Sequence, residues 1–149
     1  MDVETLKADW VGLEFDVVDF EMSRDEMLAW AETCGETDSR FIDPEDPDFQ
    51  APTTFTSKFV GRRAFPEGFP KIGRGPGFDA GKRVENHHPV RPGDVLTARS
   101  HIADIYTKTG RSGPMLFIVH RMSFSNQKGE RVSVVDWRRV LQPEEGELS

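Results

Sequence analysis

The sequence predicts an α+β domain in which a mainly antiparallel sheet wraps a helix. Three observations carry this: alternating hydrophobicity near the N-terminus, a helical middle opened by a capping box, and four late β-patterned segments separated by short turns. The 149 residues fit one domain, since a unit of that size removes ~70% of its unfolded surface from water.

From Leu13 to Phe20, the residues Leu13, Phe15 and Val17 alternate with Glu14, Asp16 and Val18, which predicts a strand burying the first set. Ser23-Arg24-Asp25-Glu26 then reads as a capping box, with Met22 and Met27 as the accompanying staple. Met27, Trp30, Ala31 and Cys34 recur at helical spacing and Gly35 suits a left-handed stop, so a helix of about three turns is expected with Cys34 in its core stripe. Glu36 to Gln50 holds Pro44, Pro47 and many acids and reads as a surface loop. Ala51-Pro52-Thr53-Thr54-Phe55 predicts a second helix, with Pro52 in its first turn, where a missing N–H costs nothing. Arg62 to Gly77 is Gly- and Pro-rich, a long irregular segment expected to border a substrate site. Strands follow at roughly Phe78 to His88, Val95 to Lys108, Met115 to Asn126 and Arg131 to Gln142, the last two joined by a turn at Asn126-Gln127-Lys128-Gly129. In the strand from Met115, the face bearing Leu116, Ile118, His120, Met122 and Phe124 is the better core candidate than that bearing Phe117, Val119, Arg121 and Ser123.

Composition excludes several functions. A formal charge of −7, with acids gathered at Asp43 to Asp48 and Glu144 to Glu147, disfavours nucleic acid. The apolar runs fall far short of the ~18–20 residues needed to span a bilayer, so no membrane insertion is expected. Cys34 is the only cysteine and the start, Met-Asp-Val-Glu, lacks the basic and apolar regions of a signal peptide, so a reducing cytoplasm is the expected setting. Gly73-Arg74-Gly75-Pro76-Gly77 is not a phosphate loop, because no strand–helix frame surrounds it and Pro76 lacks an amide. Asp43, Glu45, Asp46 and Asp48 lack the turn glycine and terminal Glu of a calcium loop. His87 and His88, adjacent on a strand, point to opposite faces and cannot share a metal; ordinary strand-end histidines are the simpler reading. No Gly-x-Ser-x-Gly elbow is present, and no cofactor or metal is called for.

Four segments, in order, carry a resemblance: Val11-Gly12-Leu13-Glu14-Phe15, Leu28-Ala29-Trp30-Ala31-Glu32-Thr33-Cys34-Gly35-Glu36, Ala51-Pro52-Thr53-Thr54-Phe55 and His88-Pro89-Val90-Arg91-Pro92-Gly93-Asp94-Val95-Leu96. Together they resemble the N-terminal-type domain of the MaoC-like dehydratases, in the (R)-specific enoyl-CoA hydratase superfamily. Pro-x-Arg-Pro-Gly-Asp followed by β alternation is the most specific piece.

The resemblance implies a hot-dog fold, an antiparallel sheet around a central helix that here begins near Pro52. It implies hydration of trans-2-enoyl thioesters, or dehydration of (R)-3-hydroxyacyl thioesters, carried on CoA or acyl carrier protein. Active members have Asp where this chain has Glu36 and His where it has Phe41. Phe neither hydrogen-bonds nor transfers a proton, so the implied protein is a subunit completed by a sister hot-dog subunit, with a homodimer as the other assembly. A non-catalytic acyl-CoA-binding or scaffolding module is the alternative, and a thioesterase using Glu36 or Asp38 ranks third.

Within this resemblance the catalytic candidates are Glu36 and His88. Amides of Thr53, Thr54 and Phe55 at the expected helix entry are oxyanion-hole candidates. Phe41, Phe49, Phe55 and Phe59 are candidate acyl-lining residues. Arg62, Arg63, Lys71, Arg74, Lys82 and Arg83 are candidate phosphate contacts, although each serves equally as a solubilising charge.

Overall fold

A computed structural model describes residues 1–149. Asp2 accepts the Thr5 amide and caps helix α1, Val3–Trp10, a short element that the hydrophobic pattern did not foretell because Leu6 is its only buried residue. Strand β1, Glu14–Glu21, follows. Its alternation is only partly as expected: Phe15 packs against the core, but Asp16 is 8% exposed and Leu13, just before the strand, is 51% exposed. A bulge between Glu14 and Asp16 is the cause, since one extra residue on a strand swaps which side chains face inward.

Ser23 caps helix α2, Arg24–Cys34, by accepting the Glu26 amide, and Gly35 ends it in the left-handed region at φ 70°. Only half of the expected box forms, because the Glu26 carboxylate pairs with Lys58 at 3.4 Å. Met22 and Met27 are fully buried as the staple requires. Cys34 is exposed, correcting its assignment to the core: Met27 and Ala31 hold the inward stripe, and the last turn runs beyond it. A one-turn helix α3, Ser39–Ile42, interrupts the acidic loop and buries Phe41.

The largest correction concerns the helix expected from Pro52. The chain forms only a 3-10 turn, Phe55–Lys58, and Phe59 is already extended. Thr53, Thr54 and Thr56 are β-branched and Ser57 is a weak helix former, while Phe55 and Phe59 both join the core instead of following one helical face outward.

The remaining strands fall close to their sequence assignments: β2 Phe78–Asn86, β3 Val95–Gly110, β4 Gly113–Ser125 and β5 Arg131–Leu141. They form one five-stranded sheet in the order β1-β3-β4-β5-β2, antiparallel throughout. The β4–β5 turn closes as the sequence indicates, Asn126 accepting the Gly129 amide on its carbonyl and the Lys128 and Glu130 amides on its side chain.

The inner face of the sheet carries two hydrophobic clusters. One joins Leu96, Ala98, Met122, Phe124 and Val135 to Met27 of α2 and to Phe55 and Phe59. The other joins Ile102, Ile105, Leu116, Ile118 and Leu141 to Leu6 of α1 and to Ile72. The segment from Phe59 to Gly77 crosses the sheet as a strap. The Asp16 carboxylate fastens its start, accepting the Arg62 and Arg63 amides at 2.7 and 3.2 Å. Its far end lies so close to β5 that a Cβ on Gly77 would meet the Val140 carbonyl oxygen at 2.7 Å. No helix is long and apolar enough to cross a membrane.

This fastening predicts a contrast between two strap glycines. A Cβ on Gly61 would lie 2.5 Å from the Asp16 carboxylate, whereas one on Gly75 meets nothing closer than 4.0 Å. Gly61→Ala should therefore destabilise by about 1–3 kcal/mol, and Gly75→Ala should stay within about 0.5 kcal/mol of the parent. Urea denaturation of both variants measures the difference.

Candidate functional site

Glu36 follows the helix-ending Gly35, half-buried and with its amide on the Ala31 carbonyl. Phe41, where the resemblance leads one to expect a histidine, is 6% exposed, with the Arg40 guanidinium 4.7 Å from its ring centre. Neither residue borders a cavity of the chain. No histidine hydrogen-bonds to Glu36: the His87 and His88 rings lie 3.4 and 3.3 Å from the Glu85 and Glu130 carboxylates, and His101 and His120 lie on β3 and β4.

The turn after Pro52 and the end of β2 do meet. A cavity of about 220 Å³ brings together Pro52, Thr53, Thr56, Asn86, His87 and His88. Asn86 donates to the Thr53 carbonyl at 2.8 Å, bracing the turn against the strand. The two histidines leave strand geometry, both amides donating to the Val132 carbonyl, so they do not alternate across a sheet. The Phe55 amide is spent on the Pro52 carbonyl at 2.9 Å and is not free to receive an oxyanion. Thr54 Oγ1 accepts the Trp30 indole N–H at 3.0 Å. Phe49, Phe55 and Phe59 are core residues at 6%, 1% and 9% exposure and line none of the cavities.

The candidate cations do not converge on one site. Arg62 donates to the Val17 carbonyl and pairs with Asp16, Arg63 pairs with Glu67, Arg74 with Glu144 and Arg83 with Glu85. Lys82 donates to the Ser57 carbonyl, and Lys71 is exposed. The Arg91-Pro92-Gly93-Asp94 piece proves to be a brace. Met22 and Gly93–Asp94 exchange backbone hydrogen bonds, Asp94 accepts the Arg91 amide, and Arg91 donates to the Phe49 carbonyl and Asp48.

A second group of polar residues lies on the inner face, where sequence reasoning placed no site. Asp16, Ser100, His120, Trp137, Arg139 and Lys82 form a belt across all five strands, in the gap between the two hydrophobic clusters. Ser100 Oγ, both His120 nitrogens, Trp137 Nε1 and Arg139 Nε are buried without hydrogen-bond partners. Native proteins leave few such groups, and these five atoms concentrate in one row. The sequence held one hint: His120 stands alone among Leu116, Ile118, Met122 and Phe124.

Burial pushes the His120 imidazole down to about 4, helped by the Arg139 charge and opposed by Asp16. It is therefore neutral at physiological pH. Burial likewise lowers Lys82 and Arg139 from their ordinary values. No group of three or more His, Cys, Asp or Glu is placed to hold a metal ion.

The family described as "FAS1-like, dehydratase domain region" matches residues 9–135, nearly the whole of the sheet and both clusters. The chain belongs to this dehydratase-domain family. Its fold is the MaoC-like hot dog, here without the long central helix. A MaoC-like dehydratase from Rhodospirillum rubrum aligns with a TM-score of 0.63 and 22% identity, over 90% of this chain and 93% of that one. The HadBC (3R-hydroxyacyl-ACP dehydratase) complex from Mycobacterium tuberculosis gives 0.66 and 20%, over 90% and 98%. The ChsH1-ChsH2 complex from the same organism gives 0.64 and 17%, over 95% and 90%. At these identities the likeness to solved structures is one of fold. No curated protein matches the sequence.

In this dehydratase domain the corner of Glu36 and Phe41 has one carboxylate and no imidazole, so it can accept a proton but has no partner to relay it. The belt is rich in donors, and its centre at Ser100 and His120 is closed to solvent, while Trp137 and Arg139 are only half-buried. His120 supplies a direct measure of that closure. Its pKa is 6.5 in the unfolded chain and about 4 in the folded one, so the unfolded state binds more protons between those values and stability falls as pH drops through them. Between pH 7 and pH 4 the parent should lose roughly 3 kcal/mol more than His120→Leu. At pH 7 that variant should be as stable as the parent or more so, because it removes two unpartnered buried nitrogens. Chemical denaturation across this pH range checks both statements.

Proposed function

We propose that the chain is a single hot-dog domain serving as the non-catalytic half of a heteromeric (R)-specific enoyl-thioester hydratase or 3-hydroxyacyl-thioester dehydratase. The acyl group would be carried on CoA or acyl carrier protein, and a sister hot-dog subunit would supply the Asp and His that activate water. The observation that carries this reading is the buried Phe41, packed under Arg40 where active relatives place the histidine.

The open edges of the sheet support a partnership. β1 and β2 are both edge strands, β2 is mostly solvent-exposed along its length, and Phe78 at its start is 62% exposed. Unpaired strand edges and exposed aromatic rings favour association. Two neighbours in fold are themselves complexes of named subunits, HadBC and ChsH1-ChsH2. The cavity at Thr53 and His88 then becomes this subunit's share of the thioester site, with the Thr53 and Thr54 amides facing the developing oxyanion. A cytoplasmic setting agrees with the single free thiol of Cys34. The second reading, an acyl-CoA-binding module without catalysis, uses the same surfaces and differs only in the partner.

Co-expression with a hot-dog subunit that carries the Asp and His decides between them. The expected result is a stable co-purifying complex that hydrates crotonyl-CoA, while the isolated chain turns over at less than about 1% of an ordinary enzyme's ~10 s⁻¹. Phe41→His combined with Glu36→Asp should raise the isolated chain's rate above either single variant, because the two groups act as a unit. A chain that ignores every such partner in light scattering, yet binds acyl-CoA, would establish the binding module instead.

A further inference from the structure

Arg139 stands directly across from Asp79 in the β5–β2 pairing, the position in which opposite charges normally close a cross-strand pair. It does not take that partner. The guanidinium lies instead 3.9 Å from the ring centre of Trp137 and 5.2 Å from that of Phe65, with Nε buried and unpartnered. The Lys82 ammonium stands over the same indole at 4.7 Å. The Gly81 amide, and after it the Trp137 N–H, hold the Asp79 carboxylate below its ordinary range, although the indole makes no full hydrogen bond. One and two strands further in, His120 and Ser100 are 3% and 1% exposed and have no partners either. The belt thus offers several donors and two half-buried cations against two carboxylates, Asp79 and an Asp16 already engaged by the Arg62 and Arg63 amides.

Two cavities lie side by side here, Arg139 lining the first and standing 5.2 Å from the Phe65 ring in the wall of the second. One, of about 200 Å³, is floored by Trp137 and Arg139 and rimmed by Phe78 and Asp79. The other, of about 260 Å³, is apolar, with Phe65, Phe69, Ile72 and Leu141 in its wall. They share Pro76, and Arg139 bridges them by stacking on Phe65. Their combined size lies in the ~300–1,000 Å³ range of small-molecule sites.

We propose that this composite groove binds an aliphatic carboxylate, its carboxyl group on the Arg139 guanidinium and its hydrocarbon stem along Phe65, Phe69 and Leu141. A planar carboxylate fits the fork of a guanidinium that is already fixed by stacking. The adjacent Asp79 disfavours a doubly charged oxyanion such as phosphate, and the aromatic wall supplies what an inorganic ion cannot use. The site is separate from the Thr53–His88 cavity, so it stands or falls independently of the thioester reading.

Calorimetry with octanoate, octanol and inorganic phosphate on the full chain tests it. Octanoate should bind saturably at one site, octanol at least ten-fold more weakly and phosphate not at all. Arg139→Gln, shown to be folded by circular dichroism, should weaken octanoate at least ten-fold. In the unmodified protein, nuclear magnetic resonance should show the Trp137 indole N–H shifting as octanoate saturates, which needs no variant to fold. Equal binding of octanol, displacement of octanoate by phosphate, an unmoved Trp137 resonance, or a folded Arg139→Gln protein with unchanged affinity would each overturn the proposal.

Discussion

The inner face of a five-stranded sheet bearing Leu96, Ile102, Leu116, Ile118, Met122 and Phe124 has to be covered, and this chain covers it without a continuous central helix. Three separate pieces take its place. Met27 of α2 with Phe55 and Phe59 shields one end, Leu6 of α1 with Ile72 shields the other, and the strap spans the middle. Past Phe59 the strap turns polar, and there it is fixed by a charge: the buried Asp16 carboxylate gathers the Arg62 and Arg63 amides and the Arg62 side chain. Charge-assisted bonds of this type are roughly twice as strong as neutral ones, which suits a segment whose glycines offer little else to pack.

A cover made of pieces leaves a gap between its two hydrophobic clusters, and the polar belt occupies that gap. A buried donor without an acceptor costs about 1–3 kcal/mol, so a row containing Ser100, His120, Trp137 and Arg139 is a poor solution for stability alone. Leucine or valine in the same row would merge the two clusters into one. The belt is thus where the fold gives up packing for polar groups, which is the premise of the carboxylate site proposed above.

The corner of Glu36 and Phe41 shows the opposite balance. Phe41 is buried and stacked, and the Pro52 turn is tied to α2 through Trp30 and to β2 through Asn86. Here the chain has exchanged reactive groups for packing. A domain with a well-braced corner, a donor-rich belt elsewhere and two edge strands has the features that the proposed pairing with a sister domain requires.

Local pattern alone determined the strands, whose alternation from Phe78 onward located β2 to β5 within a few residues, and the start and stop of α2, since Ser23 and Gly35 act on their own backbone neighbours. It also carried the family, through the Pro-x-Arg-Pro-Gly-Asp brace, whose internal contacts span only a few positions. What it left open depended on distant partners. The bulge that turns Asp16 inward is a property of the β1–β3 register, the Pro52 segment stays a single turn because Phe55 and Phe59 are drawn into a core assembled from other elements, and Cys34 is exposed because the core ends before the helix does. His120 was visible as a polar residue on an apolar face, but its isolation became a fact only when β3 and β5 closed around it with Ile102 and Trp137 as its neighbours. Propensity and capping act over three or four residues, whereas burial and pairing are decided by chain segments brought together from across the sequence.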